Sequence, residues 1–233
     1  MPPVFDSSKV TVIFVLGGPG AGKGTQSAKL VDSYKFCHLS GASPSPPLLF
    51  LPLIFPPAGD LLRAEQVREG SEYGQLIRTC IREGTIVPSH VTIKLLQNAM
   101  TAVLAERSGS GDGWNDGRGR FLIDGFPRNI EQAKSFDDTI CLSSLVLFYD
   151  TSEDVLIRRI IERSKTSGRE DDNLESIKKR LRTYQKDTMP VIDEYKSKNK
   201  VKTIESSGSI EEIYEDTVKI IDKLFTPPPE IAN

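Results

Sequence analysis

The 233-residue chain is poor in the side chains that most often announce a chemistry. It has two histidines, His38 and His90, which are too few and too far apart for a His-based metal site. Its three cysteines, Cys37, Cys80 and Cys141, are odd in number and widely spaced. They form neither a zinc pattern nor a disulfide framework, and they point to a reducing compartment. Thirty Lys and Arg against 32 Asp and Glu leave a net charge of −2. That balance excludes a bulk nucleic-acid binder, while clustered arginines can still build a local anion site. No apolar run reaches the roughly 18 residues that a membrane span requires. Met1 to Lys9 carries acidic Asp6 and no apolar core, so no secretory signal is expected. No Asn-Lys-x-Asp sequence occurs to read guanine, which argues against a GTPase switch, and no internal repeat is visible.

What is present alternates. Val10 to Leu16 is a β-branched apolar run, read as a strand buried on both faces, as in a parallel sheet. A helix follows over 23–34, then a short strand over 36–39. Helices are expected over 60–69, 72–83 (closed by Gly84) and 89–107 (opened by Pro88-Ser89). Further strands are read at 121–124, 145–149 and 201–204. Thr151 or Ser152 caps a helix over 153–163. Asp171-Asp172-Asn173 opens another, with Leu174, Ile177, Leu181 and Tyr184 as its apolar spacing. Ser209 caps the last, with Ile213, Val218, Ile221 and Leu224 facing the core. Strands alternating with helices predict an α/β fold: a three-layer α/β/α domain with a five-stranded, mostly parallel sheet. Residues 226–233, with three consecutive prolines, read as a frayed tail. Ser108 to Gly119 reads as a Gly-rich surface loop without chemistry. Gly41 to Pro57 is anomalous: its 17 residues hold six of the 15 prolines, which forbid a regular helix or central strand, and its Leu, Ile and Phe are greasy if exposed.

Gly17-Gly18-Pro19-Gly20-Ala21-Gly22-Lys23-Gly24-Thr25 lies between the first strand and the first helix. The spacing Gly17…Gly22-Lys23 is that of a phosphate-binding P-loop. Small residues let consecutive N–H groups turn onto phosphate oxygens, the helix N-terminus adds partial positive charge, and Lys23 reaches the β and γ phosphates. Gly24 departs from the general pattern, which has Ser or Thr after the lysine. The competing reading is a plain strand-to-helix turn with an idle lysine. Asp124 ends the strand FLID at the sheet edge that faces the ligand crevice. It can hold Mg²⁺ through water or simply cap a helix. Arg128 follows in a Gly-Pro loop. Arg159, Arg163, Arg169 and Arg180 gather in one stretch. Any one of them alone reads as a solvated surface residue, but beside a P-loop the set matches the dispersed charge of a transferring phosphoryl group.

The motifs GGPGAGKGTQ, HLS, AGDLLRAE, EGTIVP, FLIDGFPRN and RSKTSGREDDNLESIKKR together resemble the nucleoside monophosphate kinases. The likeness runs from Val10 to about Leu224, apart from the two loops. Gly-Thr after the lysine is that family's own form of the P-loop. The short segment around 165–169 is similar to the small lid of UMP/CMP kinases, with the fungal-type uridylate kinases most alike. The resemblance implies a P-loop core over 10–40, 89–162 and 173–225, an acceptor lobe over 58–88 and a lid over 163–172. It implies that Gly20, Ala21, Gly22, Lys23, Gly24 and Thr25 wrap the ATP phosphates. Arg163 would meet those phosphates, with Arg159 stacking near the adenine and Gly208 touching it through backbone. Arg63 and Arg128 would grip the acceptor monophosphate, beside Ser40, Ala58 and Gly125. Ile86 and Val87 would touch its base or sugar, and Gln132 would read the base edge. Arg169 and Arg180 would bridge the two substrates, so that Lys23, Arg128, Arg163, Arg169 and Arg180 carry the catalysis. Asp124 and Asp60 would order water around Mg²⁺ without ligating it directly. UMP is the expected acceptor, with CMP accepted and AMP also considered. Adenylate kinase, or a nucleotide-binding protein inactivated by residues 41–57, stands as the alternative. A monomer, cytoplasmic and also nuclear, acting in pyrimidine biosynthesis with neither nucleic-acid nor membrane partners, completes the expectation. In the family pattern Ser40 runs straight into Ala58, so 41–57 reads as an unevolved interruption, such as translated intron sequence.

Overall fold

The computed structural model describes residues 2–40, 58–111, 113–165 and 174–225; within these, the side chains at 40, 58–60 and 174 are outside the description. Arg169, the proline-rich segment 41–57, most of the expected lid and the tail therefore lie outside the described residues.

Five strands form one all-parallel sheet in the order β2-β3-β1-β4-β5, with β1 Val10–Gly17, β2 Cys37–Ser40, β3 Gly119–Asp124, β4 Leu145–Asp150 and β5 Val201–Glu205. Each strand after β1 follows helical chain, as a parallel sheet requires. The alternation of strand side chains divides the core in two. Val12, Phe14 and Leu16 face one side with Phe121, Ile123, Val146 and Phe148. That side is covered by α4 (Ser89–Glu106), α5 (Ile130–Thr139) and α8 (Met189–Ser197). Ile13 and Val15 face the other side with Leu122, Leu147 and Tyr149. It is covered by α1 (Lys23–Tyr34), α6 (Glu153–Ser164), α7 (Leu174–Thr183) and α9 (Ile210–Phe225). Among the described residues no helix is long and apolar enough to cross a membrane.

A third, smaller core lies apart from the sheet. Ile77, Cys80, Val87 and Val91 are buried together, with Leu62, Tyr73, Ile81 and Leu95 against them. It joins α2 (Ala58–Val67), α3 (Gly74–Glu83) and the start of α4. Arg68 grips Glu65 through one guanidinium edge, Nε and Nη2 donating at 2.8 and 2.7 Å, and Ser71 Oγ donates to the same carboxylate at 2.7 Å. These bonds hold the Glu65 carboxyl below its usual range. The lobe's core thus continues past residue 88 into α4.

Three elements differ from the sequence reading. Helix α5 was not foreseen, although Asn129 caps it by accepting from Gln132 N at 2.8 Å, a cap three residues ahead of a Gln. Beyond α7 the chain makes a π-turn over Tyr184–Thr188 and resumes as α8. Pro190 brings no N–H to the ladder there, and a locally widened turn absorbs the fault. The Gly-rich stretch is anchored: Trp114 is buried, donates from Nε1 to Lys35 O at 3.0 Å and meets Phe121 edge-on. Its last residue, Gly119, already belongs to β3.

Candidate active site

Where β1 ends, the chain turns through Gly17–Gly22 into α1. Gly20 (φ 89°) and Gly22 (φ 83°) occupy left-handed backbone that favours glycine. A Cβ on Gly20 would also stand 2.9 Å from Leu156 O, so the loop fits against α6 only without a side chain. Lys23 Nζ donates to Gly17 O and Gly18 O, both at 2.9 Å, folding the lysine back over the loop. Burial pushes its ammonium down to about 8; Asp124 opposes that shift, while Arg128, Arg180 and Arg163 add to it. The same four side chains therefore share one electrostatic neighbourhood with Lys23.

Three adjoining cavities run along this edge. The first, about 1020 Å³, lies over the loop and is lined by Gly20, Gly22, Lys23, Gly24 and Thr25 with Arg159 and Arg163. Gln26, Ile210 and Ile213 complete it. The last, about 770 Å³, lies against the small lobe and is lined by Arg63, Ile86, Val87, Gly125, Arg128 and Gln132, with Thr92 and Cys80. The one between them holds Lys23 and Arg128. Among the described residues, Asp124 and Arg180 line all three.

Asp124 is 3% exposed at the carboxyl end of β3, opposite Val15 and Ser40 in the sheet. It is not a helix cap, since Asn129 fills that place for α5. His38 Nε2 stands 3.7 Å from its carboxylate. Arg128 is held from two directions: its Nε donates to Gly125 O at 2.9 Å, and Thr188 Oγ1, from the π-turn, donates to its carbonyl at 3.0 Å. Arg159 donates to the carbonyls of Ser206, Ser207 and Gly208 at 2.7, 3.5 and 3.3 Å. Ser206 Oγ in turn donates to Ala21 O at 2.9 Å, tying the β5–α9 loop to the phosphate loop.

Most of the expected residues are brought together. Ala21 stands back from the cavities, fully buried, with its N–H given to Gly18 O. Gly208 reaches the site through Arg159. Ser40 closes β2 beside Asp124, and Ala58 and Asp60 open α2; their side chains and Arg169 lie outside the described residues. Gln132 is more constrained than its sequence position indicated. Its Nε2 donates to Val87 O at 3.1 Å and its Oε1 accepts from Arg128 N at 2.9 Å. Sequence reading missed Gln26, Thr92, Thr183 and Ile210. The first two had a signal: each is a polar residue at a buried helical position.

A P-loop beside a second, arginine-lined cavity describes an enzyme that handles two anionic ligands at once. Comparison with known proteins agrees. The adenylate kinase family model matches residues 54–200, beginning inside the proline-rich segment. The UMP-CMP kinase of Lentinula edodes is 59% identical over 222 residues, covering 95% of this chain and 89% of that one. The chain belongs to the adenylate kinase family of nucleoside monophosphate kinases. The uridylate kinase of Saccharomyces cerevisiae is 48% identical over 92% of both chains, and the UMP-CMP kinase of Homo sapiens 43% identical over 92% of this chain and 98% of its own. The kinase fold places the loop at the centre of the sheet, where β1 lies between β3 and β4 and the strand order reverses.

Proposed function

We propose that this kinase transfers the γ-phosphoryl group of ATP to UMP and CMP, giving ADP and the nucleoside diphosphate. The observation that carries the reading is the continuity of the cleft: Asp124 and Arg180 line the donor cavity, the acceptor cavity and the space between them. The relatives named for UMP and CMP supply the acceptor class.

In this reading Lys23 leaves the carbonyls of Gly17 and Gly18 for the β and γ phosphates, with the N–H groups of Gly20 and of Gly22 to Thr25 around them. Arg163 pairs with the donor phosphates. Arg159 and the 206–208 loop form the adenine platform. Arg63 and Arg128 grip the acceptor phosphate, one of whose oxygens attacks the γ-phosphorus as the bond to the ADP oxygen breaks. Arg180, joined by Arg169 from the lid, follows the negative charge across. No covalent nucleophile is needed, because catalysis here is positioning plus charge neutralisation. Asp124 offers a buried carboxylate to the cleft, which suits Mg²⁺, an ion that keeps most of its water and takes its remaining oxygens from phosphates; with Asp60 it would order that water. When bound, Mg²⁺ would supply neutralisation of the phosphate charge.

The lobe 58–88 closes over the acceptor and the lid 163–172 over the donor, excluding water that would otherwise accept the phosphoryl group. The separate small core supports this division. The same reading takes the enzyme to act as a monomer. The three cysteines are buried free thiols, in keeping with a cytoplasmic or nuclear enzyme of pyrimidine nucleotide synthesis. The test is an acceptor panel in an ADP-coupled assay: UMP and CMP should be phosphorylated with kcat/KM above AMP and GMP. Preference for AMP would return the chain to the adenylate kinase reading.

A further inference from the structure

We propose that the Thr92 hydroxyl reads the exocyclic group at C4 of the acceptor pyrimidine, and that its ability to donate or accept is what lets one cavity take both uracil and cytosine. The inference rests on the acceptor assignment above.

It starts from Gln132. Both ends of that amide are tied to backbone, Nε2 to Val87 O and Oε1 to Arg128 N–H. The amide cannot turn over without losing both bonds, so it shows the base one remaining N–H and one remaining lone pair in a fixed order. Uracil and cytosine differ where such a group cannot adapt: N3 is a donor in uracil and an acceptor in cytosine, and C4 carries an acceptor oxygen in uracil and a donor amino group in cytosine. A cavity that takes both needs a group that can switch.

Thr92 is such a group. It lies in the first turn of α4, and its own N–H goes to Pro88 O, one residue beyond the Val87 carbonyl that holds Gln132. The residue is 8% exposed, lines the acceptor cavity and has no hydrogen-bond partner for Oγ1. Most of the other helical threonines behave differently, Thr25 and Thr188 excepted. Thr79, Thr101, Thr139, Thr183 and Thr217 each donate to the carbonyl four residues back, at 2.6–3.1 Å. Thr92 makes no such bond. A buried hydroxyl without a partner carries a desolvation cost that a ligand can relieve, and a hydroxyl rotates to give a proton to O4 or to take one from N4.

The test measures binding to the full chain by calorimetry, using UMP, CMP and the 5′-monophosphate of pyrimidin-2-one riboside, which has no substituent at C4. The wild type should bind the analogue about tenfold more weakly than CMP. Thr92→Val, which keeps the shape and removes the hydroxyl, should weaken UMP and CMP about tenfold each and leave the analogue within about twofold; Thr92→Ser should restore both. A packing role would weaken all three alike, and that result overturns the proposal, as does a variant that binds UMP and CMP normally. The wild-type comparison needs no variant, so equal affinity for CMP and the analogue also overturns it. A wild type that binds AMP in preference to either pyrimidine would refute the acceptor assignment itself, a separate failure.

Discussion

Lys23 illustrates how much of this site is decided by single side chains. Its ammonium is bonded to two loop carbonyls and pushed down to about 8 by burial. A triphosphate binds the protonated form, so ATP affinity should weaken as pH rises above about 8, by up to about tenfold per pH unit. Titrations of ATP binding against pH check this, and Lys23→Met should flatten the profile. The linkage in the free protein has the opposite sense. The fold holds the proton less tightly than the unfolded chain does, so this group makes the empty protein more stable as pH climbs from about 8 toward the ordinary lysine value of 10.5; bound ATP, by retaining the proton, removes that dependence. Lys23→Met should also cost about 10²–10³ in kcat. Arg180, shared by the three cavities, should cost about 10³ or more in kcat when replaced by Ala if it meets the group in flight as proposed. Single-turnover rates measure both. That Lys23, Asp124, Arg128, Arg163 and Arg180 would line one cleft was legible in the sequence, because the motifs that hold them follow one another in a familiar order; Arg169 lies outside the described residues. The state of Gln132 was not: its amide is committed by Val87 O, 45 residues away, and by the N–H of Arg128, contacts that only the folded chain creates.

At the scale of elements, β1 and α5 give contrasting lessons. Val10–Leu16 announced itself because a strand covered on both faces is apolar at every position, and the phosphate loop after it starts α1 where expected. Helix α5 did not, because only Ala133 and Phe136 of its apolar residues are buried and its sequence is otherwise polar. What starts it is the Asn129 cap. Asn129→Ala should destabilise the protein by about 1 kcal/mol in chemical denaturation. It should also raise the acceptor KM, since the cap fixes the backbone from which Gln132 projects. The π-turn was likewise invisible to a 3.6-residue pattern, yet it supplies the Thr188 hydroxyl that holds the Arg128 carbonyl. Phe14, in edge contact with Phe126, Phe136 and Tyr195, joins β1 to the loop and helices behind Arg128. Phe14→Ala should cost about 3–5 kcal/mol of stability.

For the whole molecule, the proposed mechanism makes the sheet a fixed floor on which the acceptor lobe and the lid would each meet a different nucleotide. Helix α2 packs against β2, so the chain leaves at Ser40 and returns at Ala58 to a neighbouring place. Direct joining of Ser40 to Ala58 is therefore expected to preserve the fold. Removing the 17 residues between them should relieve roughly 2.5 kcal/mol of loop-closure entropy, seen as a higher melting temperature, and should leave kcat/KM for UMP equal or improved. The central claim is direct transfer between two nucleotides held in one cleft. Single-turnover reaction of ATP labelled in the γ-phosphoryl group, with and without UMP, tests it most directly. The account predicts label in the β-position of UDP, appearing at the rate that ADP forms, with little inorganic phosphate in either reaction. Label released as inorganic phosphate at a rate indifferent to UMP would contradict it.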